Sequence, residues 1–215
     1  MHEAPTAAMT DTAVFDFDGT LLPGDSLLPF LALVAGRRAL VGALVRRGPR
    51  IAAAMAGMSD RGEAKRRLLT DLVGGRAVAD VEEAARRFSA ALVGRLRPDV
   101  LARLRWHQSA GHRTVIVSAS PGVYVRPVGA ALGVDGVMAT ELVIGDGRFT
   151  GSIDGRNCRG AEKLDRLRAW LGSREQGRLW VYGDSAGDRE LLAAADIAQR
   201  VTKRAIPELP AGGGR

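Results

Sequence analysis

The chain is 215 residues long, and 46% of its residues are apolar. That size is enough to bury a sizeable core and to form one compact domain that carries an inserted module. Cys158 is the only cysteine, so an internal disulfide is excluded, and this fits a reducing cytoplasm. The net charge of +7 permits attraction to phosphate groups or anionic surfaces but does not indicate a type of reaction.

Neither the termini nor the apolar segments predict export or a membrane span. Residues 1–10 lack a basic stretch followed by an apolar run, so they do not resemble a secretory signal. The apolar runs at residues 27–35 and 39–45 are shorter than the roughly 20 residues that a spanning helix needs. We therefore expect a cytoplasmic protein. Residues 1–10 and the Pro- and Gly-rich residues 207–215 are expected to be flexible termini.

Short apolar segments with β-branched residues predict the strands of a buried parallel sheet. They lie at residues 12–17, 113–118, 178–182 and 197–201. A separate hairpin is predicted from residues 137–144 and 148–153, with its turn at the Gly-Asp-Gly of residues 145–147.

Helical spacing of Ala, Leu and Arg runs through residues 25–96, and breaks are predicted at residues 48–49, 59–60 and 74–75. Further helices are predicted at residues 98–110, 121–132, 160–171 and 186–195. Strands that alternate with helices indicate an α/β fold with a Rossmann-like parallel sheet. The predicted division is a core of residues 11–22 and 97–206, with residues 23–96 inserted as a helical cap.

Four polar residues follow the predicted strands. They are Asp16, Asp18, Ser118 and Asp184. Ligands in parallel α/β sheets collect beyond the carboxyl ends of the strands, so one cleft is expected to gather all four. Buried carboxylates need a compensating charge, and Mg²⁺ prefers oxygen ligands. Asp16, Asp184 and a backbone carbonyl could hold this ion.

Four motifs, in order along the chain, make the sequence resemble the haloacid dehalogenase superfamily of phosphatases, in the branch that includes phosphoserine phosphatase. Asp-x-Asp-x-Thr occupies residues 16–20, and Ser118 ends a hydrophobic strand. Lys163 begins a helix, and Gly-Asp-Ser-x-x-Asp occupies residues 183–188. Each motif alone is weak, because an acidic turn, a helix cap or a solvated lysine would give the same pattern.

This resemblance implies a chemical role for the matched residues. Asp16 is the expected nucleophile, which forms an aspartyl-phosphate, and Asp18 is the expected general acid and base. Lys163 is expected to mask negative charge and contact the phosphate. Ser118, with backbone amides near Ala119 and Gly19, is expected to bind the phosphoryl oxygens.

The resemblance also implies a metal site. Asp16, Asp18 and Asp184 are the predicted ligands of Mg²⁺. Thr20 is expected to orient the loop, and Asp188 to lie outside the metal ligands as a partner of bound water or of Lys163.

The predicted cap, residues 23–96, is where substrate specificity is expected. Asp25 and Arg66 are candidates, because phosphoserine phosphatases use an acidic residue and an arginine there. No glutamate follows the first motif closely, which departs from the phosphoserine-specific pattern. The predicted substrate is therefore a small organic phosphate, and phosphoserine and phosphatidylglycerophosphate remain alternatives.

Two alternatives from other classes are a phospho-accepting signalling receiver and a noncatalytic binding relative. A receiver is disfavoured because such modules are shorter and need neither a second acid two residues after the nucleophile nor a large helical insertion. The complete motifs argue against a noncatalytic relative. We expect no nucleic-acid partner, while contact with a membrane surface and the oligomeric state stay open. Trp106, His107 and His112 lack metal-ligand spacing and are expected at the surface or the edge of the core.

Overall fold

The computed structural model describes residues 9–55, 61–174 and 176–207. Its strands are β1 (Thr10–Phe15), β2 (Arg113–Pro121), β3 (Gly136–Thr140), β4 (Leu142–Gly145), β5 (Arg148–Ile153), β6 (Gln176–Gly183) and β7 (Ile197–Arg200). Its helices are α1 (Leu27–Ala35), α2 (Arg37–Met55), α3 (Arg61–Leu72), α4 (Val78–Val93), α5 (Pro98–Ser109), α6 (Gly122–Leu132), α7 (Ala161–Leu171) and α8 (Arg189–Ala194). A 3-10 turn, Ala186–Asp188, precedes α8.

The main sheet has five parallel strands in the order β3-β2-β1-β6-β7. β1 lies in the middle, where Val14 is opposite Val115 of β2 and Val181 of β6. Its apolar residues are fully buried because helices cover both faces, and such strands read as continuous apolar runs. The predicted α/β fold with a parallel sheet is confirmed.

The predicted hairpin is only partly correct. Residues 136–140 leave it and join the main sheet as β3, where Val137 pairs with Ile116 and Met138 with Val117 of β2. β3 ends at Thr140, and only β4 pairs with β5 in an antiparallel ribbon. The physical reason is burial, because Met138 and Ala139 lie in the core whereas Ile144 is half exposed.

Helices α1 to α4 lie between β1 and α5, as the helical pattern of residues 25–96 predicts. The predicted break at residues 48–49 is wrong, since α2 continues through it. The break lies instead at Gly36, whose φ of 87° ends α1. Gly75, with a φ of 77°, lies in the predicted break between α3 and α4. The predicted break at residues 59–60 lies outside the described residues.

These helices pack directly against the sheet domain. Phe30 of α1 and Phe88 of α4 contact Tyr124 of α6, with ring centroids 4.7 and 5.4 Å away. The three rings belong to one hydrophobic cluster that also includes Phe15 and Phe17. The inserted helices are therefore held over the carboxyl ends of the strands.

Across the described segments, no single helix is both long enough and apolar enough to cross a bilayer. Helix α1 and the first part of α2 reach that length and composition only together, and they are bent by 119° relative to each other. The predicted flexible termini fall mostly on residues 1–8 and 208–215, outside the described residues.

His107 is buried in the core, which corrects the prediction of a surface or core-edge position. Its ring is fully shielded from solvent, and Nε2 lies 2.9 Å from the Tyr182 hydroxyl. Nδ1 lies 2.8 Å from Nδ1 of His112. Burial, together with the charges of His112 and Arg103, lowers the pKa of His107 to about 3. His107 is therefore neutral in the folded protein near neutral pH.

Candidate active site

Asp16 begins the loop that follows β1. Its backbone N–H donates to the Tyr182 carbonyl of β6 at 2.9 Å, so the loop stays in register with the sheet. The Asp16 side chain is buried and accepts a hydrogen bond from Nζ of Lys163 at 2.5 Å. Burial raises the pKa of Asp16 to about 7, although the Lys163 ammonium opposes that shift.

Lys163 lies in the first turn of α7 and bridges two carboxylates. Its Nζ is 2.5 Å from Asp16 Oδ1 and 2.6 Å from Asp188 Oδ1, and all three side chains are buried. Burial alone would lower the pKa of Lys163, but the two carboxylates outweigh it and raise that pKa. The lysine is therefore charged and aligned beside the predicted nucleophile.

Asp184 and Asp188 come from the turn after β6. The Ser185 backbone N–H and hydroxyl donate to Asp188 Oδ2 at 3.0 and 2.9 Å, which locks the carboxylate in a capping box. Because Lys163 occupies Oδ1, both Asp188 oxygens have protein partners. This agrees with a position outside the metal ligands.

Asp16, Asp184 and Asp188 each place a carboxylate oxygen within 4.8 Å of the others. The buried Oδ1 of Asp184 has no hydrogen-bond partner among the described residues. An oxygen donor set with a buried, unsatisfied carboxylate oxygen fits a hard divalent cation such as Mg²⁺. Asp16 and Asp184 are the side chains that would hold it.

The Asp18 carboxylate does not belong to that acidic group, and its predicted role as a metal ligand stays a prediction. Ser26 donates to it from the backbone N–H at 2.9 Å and from the hydroxyl at 3.0 Å, and the Ser120 hydroxyl donates to Oδ2. Burial raises the pKa of Asp18 to about 6, although these hydrogen bonds oppose the shift. A carboxyl group of this pKa suits the predicted acid and base role.

Phosphate binding by backbone amides near Gly19 stays a prediction. The Gly19 N–H donates within the turn, to the carbonyls of Leu22 at 2.8 Å and Gly24 at 3.1 Å, so it is already occupied. The residue is needed for space, since a Cβ atom there would lie 2.2 Å from Asp184 Oδ2. The neighbouring Thr20 is fully buried, and its hydroxyl has no hydrogen-bond partner among the described residues.

Ser118 and Ala119 lie at the carboxyl end of β2, as predicted, and line the same cavity as Asp16. The Ser118 hydroxyl is buried and accepts a hydrogen bond from the Ser120 N–H at 3.0 Å. Its own proton is therefore available to a second acceptor.

The cavity measures about 230 Å³. The side chains around it include the two predicted catalytic acids, Lys163, Ser118 and Asp25, along with Lys65 and Arg159. Asp25 Oδ1 accepts a hydrogen bond from the Leu28 N–H at 3.1 Å. The candidate site is thus a small cleft between the loops and the inserted helices.

Arg66, the predicted cap cation, does not line this cavity. It is half exposed and forms an ion pair with Glu63 at 3.3 Å. Lys65, one residue earlier on α3, lines the cavity instead. One residue on a helix is a rotation of about 100°, and the run Lys65-Arg66-Arg67 leaves that register open in the sequence.

Other residues at the site were not predicted. Ser26 and Ser120 contact Asp18, and Arg159 lines the cavity. Ser26 immediately precedes α1 and Ser120 lies at the end of β2, neither within a motif of its own, so only the fold brings them together. Arg159 lies in the loop just before α7, where no sequence pattern indicated it.

A parallel sheet with carboxylates and a buried lysine at its carboxyl edge, under inserted helices, defines a phosphohydrolase-type α/β protein. Comparison with known families matches residues 13–193 to the family described as HAD, haloacid dehalogenase-like hydrolase. The chain belongs to this family of hydrolases.

Similar proteins cover most of the chain. Protein CicA of Caulobacter vibrioides is 41% identical over 184 residues, which are 85% of this chain and 82% of CicA. A Bordetella pertussis Tohama I protein of unknown function has a similar structure, with a TM-score of 0.76, 26% identity and coverage of 87% and 88% of the two chains. A phosphoserine phosphatase solved as a phospho-aspartyl intermediate analogue has a TM-score of 0.63 at 21% identity, with coverage of 87% and 84%. At this identity, the similarity to the phosphoserine phosphatase shows a shared fold alone.

Proposed function

We propose that this protein is a Mg²⁺-dependent phosphomonoester hydrolase that works through an aspartyl-phosphate on Asp16. The observation that carries the proposal is the buried contact between Asp16 and Lys163 at the wall of a cleft that Asp18 and Ser118 also line. The similar phosphoserine phosphatase, solved as a phospho-aspartyl intermediate analogue, supports it.

In the first step, an oxygen of the Asp16 carboxylate attacks phosphorus, and the bond from phosphorus to the ester oxygen breaks. Asp18 gives its proton to the leaving oxygen, and the Ser118 hydroxyl donates to a phosphoryl oxygen. Lys163 stabilises the negative charge that gathers around Asp16. Mg²⁺, held by Asp16 and Asp184, would supply additional positive charge against the phosphate.

In the second step, water attacks the aspartyl-phosphate and regenerates the Asp16 carboxylate with release of phosphate. Asp18, which lost its proton in the first step, acts as the general base and takes a proton from that water. Its three hydrogen bonds from Ser26 and Ser120 hold the carboxylate in one orientation for both transfers.

The proposed substrate is a small organic phosphate, with residues 23–96 acting as the cap. The cleft of about 230 Å³ has room for a phosphate and a short polar group, and a second cavity of about 1000 Å³ is lined by Gly19 and Asp184. A phosphatidylglycerophosphate would have to leave its lipid part outside. Phosphoserine remains an alternative, since Asp25 at the cavity wall could meet an ammonium group.

A panel assay tests the proposal. Phosphate release is measured from phosphoserine, sugar phosphates, nucleotides and phosphatidylglycerophosphate, with Mg²⁺ and with EDTA, for the wild type and for Asp16→Asn. We expect Mg²⁺-dependent release from small esters and none from the variant, whose fold is checked by circular dichroism. Equal release in EDTA, or by Asp16→Asn, would rule out the mechanism.

A further inference from the structure

Lys65 ties the inserted helices to the sheet at the active site. From α3, its Nζ donates to the backbone carbonyl of Ala119, to Asn157 Oδ1 at 2.8 Å and to Thr140 Oγ1 at 3.2 Å. All three acceptors are neutral groups, and no carboxylate lies within ion-pair distance of this lysine among the described residues. This mostly buried ammonium is satisfied by these neutral oxygens, and the Ala119 carbonyl also accepts a hydrogen bond from Thr140 Oγ1 at 2.6 Å.

The Ala119 carbonyl belongs to the peptide group whose N–H is on Ser120. That N–H donates to the Ser118 hydroxyl oxygen at 3.0 Å. The lysine, the Ala119–Ser120 peptide and the Ser118 hydroxyl therefore form one continuous relay of hydrogen bonds. Hydrogen bonds in a chain polarise one another, so a cation at one end strengthens the donation at the other.

The relay determines which way the Ser118 proton points. Because the Ser118 oxygen accepts from Ser120, its proton must be directed elsewhere, and the cavity that contains Asp16 lies beside it. A hydroxyl held this way is a ready donor to a phosphoryl oxygen.

We propose that Lys65 is a positioning residue that, when the inserted helices are closed over the cavity, orients Ser118 for phosphate binding through the Ala119–Ser120 peptide. This inference rests on the proposed function for the identity of the bound group. It assigns to α3 a role in arranging the phosphate site, in addition to covering it.

A double-mutant cycle tests the relay. Lys65→Met is measured alone, in a Ser118→Ala background and in a Ser120→Ala background. Ser120→Ala removes the side-chain contact with Asp18 but keeps the backbone N–H, so the relay is intact in it. Arg67→Met, which removes a cation from the same helix away from the cavity, is the matched control, and Lys65→Arg tests for rescue.

Two quantities are measured for each variant, kcat/KM for the best ester of the panel and the Kd of inorganic phosphate in Mg²⁺. Lys65→Met is expected to lower kcat/KM and weaken phosphate binding by about 10–100-fold, as for other residues that orient a binding group. The same change is expected to matter less than about threefold in Ser118→Ala and to keep its full effect in Ser120→Ala. Lys65→Arg should recover part of the loss.

The outcomes separate the relay from its alternatives. A full Lys65→Met effect in the Ser118→Ala background would overturn the relay and indicate direct contact with the substrate. An equal effect of Arg67→Met, with a matching fall in melting temperature, would also overturn it in favour of a structural role. A wild type that binds phosphate without hydrolysing esters refutes the proposed function, while the cycle on Kd still decides the relay.

Discussion

The ammonium of Lys163 lies 2.5 Å from Asp16 Oδ1, and both side chains are buried. Asp188 contacts the same ammonium at 2.6 Å, so one cation serves two carboxylates. In the folded protein, Lys163 therefore compensates charge as well as positioning the predicted nucleophile.

Lys163→Met should destabilise the protein strongly in EDTA, because it leaves Asp16 and Asp188 buried without a compensating charge. The expected loss is about 3–5 kcal/mol in the free energy of unfolding. Saturating Mg²⁺ should recover part of the loss, since a divalent cation near Asp16 replaces the missing charge. Urea unfolding with and without Mg²⁺ measures both effects, and Lys203→Met at an exposed lysine is the control. Wild-type stability of Lys163→Met in EDTA would contradict the charge argument.

Asp18→Asn should affect esters according to their leaving groups. An alkyl phosphate needs a proton on its leaving oxygen, and loss of a general acid costs about 10²–10⁴-fold. Formation of the aspartyl-phosphate from p-nitrophenyl phosphate should fall much less, because nitrophenolate leaves without a proton. Single-turnover release of nitrophenol and of an alkyl alcohol compares the two. An equal loss for both esters would remove Asp18 from the role of acid.

Site residues that belong to sequence motifs could be predicted. Residues whose place in the site depends on the direction they face from a helix could not. Asp16 and Lys163 belong to motifs at the ends of a strand and the start of a helix, and the parallel sheet brings these points together. Lys65 was missed because it is followed by two arginines on α3, and the sequence does not show which of the three side chains faces the site. Ser26 and Ser120 were missed because they reach Asp18 from two elements far apart in sequence, the start of α1 and the end of β2.

The error in the predicted hairpin also has a physical cause. Residues 136–145 contain no proline or internal glycine at the point where β3 ends, so the sequence predicts one strand where the chain makes two. The pairing of β3 with β2, for example of Val137 with Ile116, shows that the first half belongs to the main sheet.

His107→Gln should flatten the loss of stability in acid. The pKa of His107 is about 3 in the folded protein against 6.5 for a free histidine, so below pH 6.5 protons bind preferentially to the unfolded chain. Stability is therefore lost as pH falls from 6.5 towards 3, by about 2 kcal/mol between pH 7.5 and pH 5.0. Glutamine does not titrate, so the variant should lack this portion of the slope. Urea unfolding at both pH values measures it, and parallel slopes would show that His107 does not contribute.

Gly19→Ala should weaken binding of Mg²⁺, and Gly24→Ala provides the matched control. Both glycines have a left-handed backbone, with φ of 84° and 95°, so alanine strains each of them. A Cβ atom at residue 19 would lie 2.2 Å from Asp184 Oδ2, whereas at residue 24 it would meet nothing within 4 Å. We expect a similar loss of about 1 kcal/mol in stability from the backbone strain in both. In Gly19→Ala the displaced Asp184 carboxylate should also weaken Mg²⁺ binding, by about tenfold or more. Calorimetric titration with Mg²⁺ separates the two effects, and equal Mg²⁺ affinities in the two variants would remove Asp184 from the metal site.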